Sequence, residues 1–211
     1  MSDGTSIEWT TASWNPIRAR VKMGRLGWHC TKPSPGCKNC YAERVNRRLG
    51  TGERYAVNSQ AEVVLDETTL CLPHRWKKGR KVFVCSMTDL FGEFVSDEQI
   101  DRIFAVMASA SRHTFQLLTK RAERMRKYFA KRARSAKPWK EAALSVGYSL
   151  ENEGISLVPF PLPNVWLGVS VEDQQRADER IPHLLAMPAA VRFLSVEPML
   201  GEVDLRWRAL P

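Results

Sequence analysis

The sequence predicts an α/β fold, a partial and open β/α barrel of about six parallel strands that forms a single domain over residues 1–211. Short apolar runs recur along the chain, and such runs are typical of parallel strands that are covered on both faces. Amphipathic helical patterns lie between these runs, as expected for right-handed βαβ units. Hydrophobic residues make up 44% of the chain and charged residues 26%, a balance that excludes a wholly disordered protein.

Six segments have the composition of buried strands. They are Glu62–Leu65, Lys81–Cys85, Thr114–Leu118, Val165–Val171 and Val191–Val196, with a sixth near the start, around Ser6–Trp9 and Trp14–Val21. Five or six β/α units fall short of the eight that close a barrel. The chain also ends after Asp204-Leu205-Arg206-Trp207 with no final helix, so we expect either an open barrel or a sequence truncated at its C-terminus.

Four helices are predicted between the strands. Three of them span Tyr41–Leu49, Arg121–Lys131 and Gln174–Ile181, the last broken or restarted at Pro182. The fourth begins after Ser96, which forms a capping box with the glutamine three residues later. Its apolar residues fall on one helical face: Ile100, Ile103, Phe104 and Met107.

Residues 133–163 fit this alternation poorly. They contain prolines at positions 138, 159, 161 and 163 and a short helical patch near Trp139–Val146. A long connection of this kind is uncommon inside a compact domain. We therefore expect an irregular excursion from the core at about residues 133–163.

The net charge of +9 is matched by one segment, residues 120–140, which holds ten Lys or Arg residues and one acidic residue. Met125, Tyr128 and Phe129 fall on one face of the helix predicted there. The opposite face carries the basic candidates for a nucleic-acid contact: Arg124, Lys127, Lys131, Arg132 and Arg134. Two interpretations remain open, a phosphate-backbone footprint and a solvated helix face.

No window approaches 18 unbroken apolar residues, and the N-terminus has no basic-then-apolar signal pattern. We therefore expect no membrane association. Five cysteines in 211 residues are too few for a disulfide scaffold. These features predict a cytoplasmic protein with reduced thiols.

The most informative stretch contains Cys30, Cys37 and Cys40, separated by six and two residues, with a proline-rich turn between the first two. Three thiolates can bind three irons of a 4Fe–4S cluster and leave the fourth iron open. Zinc is the alternative, with His29 as fourth ligand. An unmetallated redox Cys-x-x-Cys also remains open, although it leaves Cys30 unexplained. The remaining cysteines, Cys71 and Cys85, have no partners at ligand spacing.

Polar residues follow the predicted strands, and ligands of α/β sheets bind beyond the carboxyl ends of strands. The rule selects these candidates for cofactor binding: Ser86, Thr88, Asp89, Lys120, Ser170, Glu172 and Glu197. Several have a structural alternative, since serine, threonine and aspartate cap helices. Asp173, which follows the same predicted strand as Ser170 and Glu172, can also cap the next helix. Glu197 follows a predicted buried strand, where a carboxylate needs a partner.

The chain resembles a phage-derived three-cysteine-motif family over nearly its whole length. The motifs that carry the resemblance are Ile7-Glu8-Trp9-Thr10, Ser13-Trp14-Asn15-Pro16, Pro35-Gly36-Cys37-Lys38-Asn39-Cys40-Tyr41-Ala42-Glu43, Val82-Phe83-Val84-Cys85-Ser86-Met87-Thr88-Asp89-Leu90-Phe91, Thr114-Phe115-Gln116-Leu117-Leu118-Thr119-Lys120-Arg121, Asn164-Val165-Trp166-Leu167-Gly168-Val169-Ser170-Val171-Glu172-Asp173 and Arg192-Phe193-Leu194-Ser195-Val196-Glu197-Pro198. That family is similar to radical S-adenosylmethionine (SAM) enzymes in fold and in its three cysteines. The usual spacing in those enzymes is three and two residues.

The resemblance implies a radical-SAM-like barrel with a 4Fe–4S cluster on Cys30, Cys37 and Cys40. It also implies that SAM binds at the open iron and that an electron donor is needed. The resemblance then implies contacts from the strand ends to SAM. The methionine amino group would be bound by Ser86, Thr88 or Asp89, its carboxylate by Lys120 or Arg121, and the ribose hydroxyls by Ser170, Glu172 or Asp173. Relatives continue past Glu197-Pro198 with another strand and a Gly-rich turn.

Two function classes follow. The first is a radical-SAM-type enzyme of unknown substrate and reaction, with nucleic acid or a nucleoside suggested by the basic segment and the phage association. The second is a zinc-stabilised nucleic-acid-binding protein without catalytic activity. The two differ at the strand ends, because only an enzyme site requires these polar side chains to converge near the three sulfurs.

Overall fold

The structure, a computed structural model, describes residues 5, 7–21, 24–133, 137–145 and 161–205. The strands in chain order are β1 (Ala12–Trp14), β2 (Ile17–Arg20), β3 (Leu26–Gly27), β4 (Glu62–Leu65), β5 (Lys81–Val84), β6 (Thr114–Thr119), β7 (Val165–Ser170) and β8 (Val191–Ser195). The helices are α1 (Tyr41–Leu49), α2 (Glu67–Leu70), α3 (Leu72–Arg75), α4 (Asp97–Ser109), α5 (Ala122–Arg132), α6 (Lys137–Ser145) and α7 (Gln174–Leu185). No helix in these described ranges has the length and apolar character that a membrane span requires.

The central element is a parallel sheet of five strands in the order β1-β5-β6-β7-β8. Its strands alternate with helices, so the α/β prediction is confirmed. No strand of the described residues closes the sheet, because β1 and β8 each pair on one side only. Consecutive strands β5, β6, β7 and β8 are neighbours, so their carboxyl ends lie side by side along one edge.

The expected sixth parallel strand is absent from the described residues, and Glu62–Leu65 belongs elsewhere. As β4 it pairs antiparallel with β2, in a small second sheet of order β3-β2-β4. Its first residue is exposed and the others are half-buried, whereas residues 82–84 of β5 are buried. A short apolar run does not distinguish a half-covered antiparallel strand from a parallel strand covered on both faces.

The N-terminal strand prediction is wrong in part. Residues 8 and 9 lie in a turn, which the Thr10 amide closes on the Ile7 carbonyl at 3.2 Å. The predicted strand Trp14–Val21 is two pieces, the end of β1 and the whole of β2. Asn15 and Pro16 separate them, since proline lacks the amide proton that a continuous ladder requires.

The predicted capping box of α4 is confirmed. Ser96 Oγ accepts a hydrogen bond from the Gln99 amide at 3.2 Å, and the Gln99 side chain accepts one from the Ser96 amide at 3.0 Å. The four apolar residues predicted on one face of this helix are all buried: Ile100, Ile103, Phe104 and Met107.

Residues 137–145 of the predicted excursion form α6, which packs against α4. The Trp139 ring stacks on Phe104 with 5.0 Å between centroids, and Trp139 is buried in the main core. Residues 134–136 and 146–160 of that excursion lie outside the described residues.

Helix α7 continues through Pro182 to Leu185, so the predicted break at that proline is wrong. A proline in the last turn of a helix removes one hydrogen bond. Burial of Ala177 and Leu184 against the rest of the core holds the helix across that position.

Candidate functional site

The cysteine loop, residues 28–40, connects β3 to α1. Its middle is a single 3-10 turn at Pro35–Cys37, which the Lys38 amide closes on the Pro35 carbonyl at 3.0 Å. Cys40 is the N-cap residue of α1. The loop thus carries Cys30 near its start and Cys37 and Cys40 at its end.

Three strand ends hold this loop. The Thr88 hydroxyl, after β5, donates to the His29 carbonyl. The Arg121 guanidinium, after β6, donates to the Thr31 hydroxyl. Glu172, after β7, accepts a hydrogen bond from Ser34. The cysteine loop is therefore tied to the carboxyl ends of three neighbouring strands, the edge at which the sequence predicts the cofactor site.

The turn after β5 starts at Cys85, whose φ of 58° lies in the left-handed region that non-glycine residues rarely adopt. Its thiol is buried, and burial raises its pKa. The sharp turn brings the next residues to the edge of the sheet, where Ser86 pairs with Asn15 at 3.1 Å. Strained backbone of this kind is found most often at functional sites.

Asp89 organises the junction of β5 and β6. Its carboxylate accepts hydrogen bonds from the Thr119 hydroxyl at 2.7 Å, the Lys120 amide at 3.1 Å and Arg121 Nη1 at 3.0 Å. Arg121 also contacts Glu93 at 2.9 Å. Burial lowers the pKa of Arg121, but Asp89, Cys30 and Glu93 together outweigh burial and the net shift is upward. Asp89 and Arg121 therefore form a charged pair beneath the cysteine loop.

Glu172 is fully buried and joins β7 to the cysteine loop. Lys120 Nζ lies 3.3 Å and Arg180 Nη1 2.8 Å from its Oε2 atom. Burial raises the pKa of Glu172, but the Ser34 hydrogen bond and these two cations outweigh burial and leave the pKa below its ordinary value. A Cβ at Gly36 would lie 3.0 Å from the Glu172 carboxyl carbon, so a larger residue there would displace the Glu172 side chain.

The three thiols of the loop are half-buried and free. The pKa of Cys30 is raised to about 12, chiefly by burial; the nearby Asp89, Cys37 and Cys40 contribute to the rise, and Arg121 opposes it. Cys30 thus lies within electrostatic reach of both other thiols and of the Asp89–Arg121 pair. In the described part of the chain, no group of three or more His, Cys, Asp or Glu side chains is arranged to hold a metal ion.

Two of these thiols, those of Cys30 and Cys40, lie against a small apolar cluster. Ala42, Tyr55 and Met87 form its buried centre, and Trp28, Cys30 and Cys40 pack against them. The indole nitrogen of Trp28 is buried without a hydrogen-bond partner among the described residues. The unpaired indole donor and the soft thiolate ligands of the loop both fit a sulfur-rich group such as an iron–sulfur cluster.

His29, the fourth ligand of the zinc alternative, packs between aromatic rings. Its ring lies edge-on to Phe94 at 4.7 Å and to Tyr55 at 6.3 Å between centroids. Burial, with a smaller effect of Arg121, lowers its pKa. These contacts give His29 a packing role in the structure described.

Two other strand-end candidates differ in their surroundings. Ser170 is buried and lies opposite Ser195 in the β7–β8 pairing. Glu197 is exposed, with no ion pair or hydrogen bond to another described residue, so the expectation that it follows a buried strand is wrong. The reason is that β8 is an edge strand with exposed and half-buried residues. Asp173 caps α7 through the Arg176 amide at 2.9 Å.

The basic candidates on α5 are not a free solvated face. The Arg124 guanidinium donates to the carbonyls of Gly92 and Val95, and Arg132 contacts Asp101 at 2.6 Å. The exposed lysines are paired as well, Lys127 with Glu123 at 2.7 Å and Lys131 with Asp97 at 3.0 Å. Arg134 lies outside the described residues.

Sequence reasoning missed two of the residues through which the loop is held, Thr31 and Ser34. Hydroxyl residues inside a Pro- and Gly-rich loop ordinarily indicate turns, so Thr31 and Ser34 gave no separate signal. Arg121 directly follows a buried strand, and that position was its only signal in the sequence.

The chain belongs to a family of proteins of unknown function, DUF5131, whose model matches residues 4–209. No curated protein and no solved structure matches the chain.

Proposed function

We propose that this member of the DUF5131 family is an iron–sulfur protein of radical SAM type, and that its parallel sheet is the core of an open β/α barrel. Cys30, Cys37 and Cys40 would hold the cluster, and SAM would bind beside it above the strand ends. The substrate and the reaction on it are outside this proposal. A protein with free cysteines of this kind suits a reducing compartment such as the cytoplasm.

One observation carries the proposal. The cysteine loop is hydrogen-bonded to the carboxyl ends of β5, β6 and β7 through Thr88, Arg121 and Glu172. A structural metal knuckle needs no such docking, because its ligands come from the loop itself. A cofactor site needs it, because the bound group must face the place where ligands of parallel sheets collect.

The chemistry supplied by a bound 4Fe–4S cluster would be the transfer of one electron, taken from a separate donor, into the sulfonium of SAM, so that the sulfur–C5′ bond breaks into methionine and a 5′-deoxyadenosyl radical. The chain's own contribution is orientation and exclusion of water. Trp28, Tyr55 and Met87 provide apolar cover on one side of Cys30 and Cys40.

The strand-end residues divide into two groups by their contacts. Thr88, Asp89 and Glu172 have partners that fix the cysteine loop, so we assign them a positioning role. Ser86, Lys120 and Ser170 are the side chains we propose for direct contact with SAM. Lys120 would pair with the methionine carboxylate, and its flexible ammonium already reaches across to Glu172.

The test is anaerobic reconstitution of the purified protein with iron and sulfide, followed by absorption and reduced-state EPR spectroscopy with and without SAM. We expect about four irons and four sulfides per chain and an EPR spectrum that changes when SAM is added. Cys71→Ser is the matched control, because Cys71 is also free and half-buried but lies outside the loop.

Replacing Cys37 by serine should abolish the iron signal, while Cys71→Ser should leave it intact. One tightly held zinc per chain with no SAM-sensitive signal would overturn the proposal in favour of the zinc-stabilised binding protein. Equal loss of iron in both variants would indicate adventitious binding and would overturn it too.

A further inference from the structure

A second basic region lies beside the cysteine loop. Residues 18–54 contain ten Lys or Arg residues and two acidic residues, whereas residues 120–140 contain ten and one. Helix α1 lies within this region and carries Arg44, Arg47 and Arg48, all exposed. In the described ranges, no carboxylate forms an ion pair with any of these three arginines, unlike the cations of α5.

The arginines of α1 occupy one side of the helix. Its buried side is formed by Ala42, Glu43 and Asn46, so Arg44 and Arg48, four residues apart, point away from the protein. A separation of four residues is about 6 Å along a helix axis, close to the spacing of consecutive phosphates in a single strand. Two guanidinium groups at this spacing can each donate two parallel hydrogen bonds to a phosphate.

Tyr41 lies at the start of the same stripe, next to Cys40. Its hydroxyl donates to the Ser86 carbonyl at 2.5 Å, yet the residue is 46% exposed. The hydroxyl contact therefore fixes a ring that solvent can still reach. Exposed aromatic rings next to arginines are the usual platforms on which single-stranded bases stack.

Arg25 adds a further cation at the other end of α1. A Cβ at Gly52, three residues after the end of the helix at Leu49, would lie 3.2 Å from Arg25 Nη1. Arg47 and Arg48 also stabilise the C-terminal dipole of the helix. That effect falls off within the last turn, so it does not account for Arg44 or for Tyr41.

We propose that α1 is a binding surface for single-stranded nucleic acid, with Arg44 and Arg48 on successive phosphates and a base stacked on Tyr41. The surface leads directly to Cys40, so a bound strand would present a nucleotide to the candidate site. In naming this substrate class, the proposal rests on the proposed function. The binding itself does not depend on the cluster.

A membrane surface is the weaker alternative for these charges. Interfacial helices bury an apolar face in the lipid headgroup region. The inner side of α1 is instead occupied by the protein, since Ala42 is buried with Tyr55 and Met87. Leu49 is exposed at the end of the helix but is a single residue.

The test is fluorescence anisotropy with labelled single-stranded 12-mers of RNA and DNA and a duplex of the same sequence, over a series of salt concentrations. The key variant is R44Q/R48Q. Its matched control is K127Q/K131Q on α5, which removes the same charge at the same four-residue spacing. Thermal melts of both variants establish that each is folded.

We expect R44Q/R48Q to lower the salt-dependence slope by about 1.4, which corresponds to about 25-fold weaker binding near 0.1 M salt. K127Q/K131Q should change affinity less than about threefold. Tyr41→Ala should weaken binding about tenfold and Tyr41→Phe should retain most of it, because the phenylalanine keeps the stacking ring.

Equal losses of oligonucleotide affinity in R44Q/R48Q and K127Q/K131Q would overturn the proposal, because they would show that only the net charge matters. Equal affinity for duplex and single strand would overturn the single-strand assignment. Anionic phosphatidylserine vesicles form a separate arm, and a loss confined to vesicle binding in R44Q/R48Q would indicate a membrane surface instead. Oligonucleotide binding that depends on Arg44 and Arg48, without a SAM-sensitive cluster, would refute only the proposed function. A SAM-sensitive cluster without such oligonucleotide binding would refute only the proposed α1 surface.

Discussion

Helices α1 and α5 are both basic, but their cations have different surroundings. On α5, Arg124 and Arg132 donate to carbonyls and a carboxylate from the loop before α4 and from α4 itself. On α1, Arg44 and Arg48 face solvent and form no ion pair with a described residue. Two helices that look alike in composition therefore differ in their contacts. The arginines of α5 join elements of the fold, whereas those of α1 are exposed.

The comparison shows that charge density by itself does not identify an interface. What distinguishes the helices is the position of acidic residues. Asp97 and Asp101 on α4 lie against α5 and neutralise its cations, while the one acid within α1, Glu43, turns inward and pairs with Lys32 at 2.5 Å. Cations that face buried carboxylates should affect stability, and cations that face solvent should affect binding.

The largest expected effect on stability is at Glu172, the most buried of these carboxylates. Glu172→Gln removes the charge that faces Arg180, which is itself buried, and leaves that cation without its partner. We expect the free energy of unfolding at neutral pH to fall by about 4 kcal/mol. Urea denaturation of the two proteins measures this change, and a loss below about 1 kcal/mol would contradict it.

Acidification should remove the same contribution from the unmodified protein. The pKa of Glu172 in the folded state is lower than its ordinary value of 4.5. Its stabilising contribution is therefore complete above that ordinary value and is lost as the pH falls through the folded-state pKa. Denaturation between pH 6 and pH 3 should show a steeper decline for the unmodified protein than for Glu172→Gln, and parallel curves would refute this assignment.

Asp101→Asn should have the next largest effect. The Asp101 carboxylate is buried and accepts hydrogen bonds from Arg132 at 2.6 and 2.7 Å and from the Tyr128 hydroxyl at 2.7 Å. We expect a loss of about 3 kcal/mol, because the half-buried Arg132 loses its counter-ion at a site that is largely shielded from water. Oligonucleotide affinity of the folded variant should not fall, and weaker binding would contradict the structural role given to α5.

Arg124→Gln should reduce the free energy of unfolding by less than Asp101→Asn does. The guanidinium makes two hydrogen bonds to carbonyls, of Gly92 and Val95, and its side chain is partly exposed. Loss of those bonds should reduce stability by about 1–2 kcal/mol. R44Q/R48Q is the comparison variant, and its melting temperature should match that of the unmodified protein. A greater loss in R44Q/R48Q than in Arg124→Gln would reverse the roles given to the two helices.

Local features of the fold, and the polar residues at the strand ends, could be predicted from the sequence. The capping box at Ser96 and the strand Lys81–Val84 follow from patterns only a few residues long. Asp89 was identified because it follows a buried strand. Its hydrogen bonds span about thirty residues, to Thr119 and Arg121, and a local pattern contains no information on such distant pairing.

The same limitation explains the errors. Glu62–Leu65 has the composition of a parallel strand, but its partner is β2, which precedes it by more than forty residues and runs antiparallel. The basic face of α5 was read without Asp97 and Asp101, which lie on a different helix.

The smallest expected effect is at Asp97, and it addresses the cause of the difference between the helices. Asp97 faces Lys131 at 3.0 Å and Arg124 at 3.8 Å, and its side chain is 36% exposed. If ion pairs with carboxylates keep the α5 cations from binding oligonucleotides, Asp97→Asn should free Lys131 and Arg124 from their ion pairs with that carboxylate. We expect oligonucleotide affinity to rise by up to about threefold and the salt slope to rise by less than about 0.7, the equivalent of one phosphate contact.

Glu202→Gln is the matched control for that measurement, because it removes one negative charge from an exposed position with no ion pair to another described residue. It should raise affinity less than Asp97→Asn, since a distant charge is screened over about 8–10 Å at physiological salt. If both variants bind equally, net charge explains the gain. If Asp97→Asn binds as tightly as the unmodified protein, ion pairing is not what separates α5 from α1, and the orientation of the arginines relative to the cysteine loop is the property that matters.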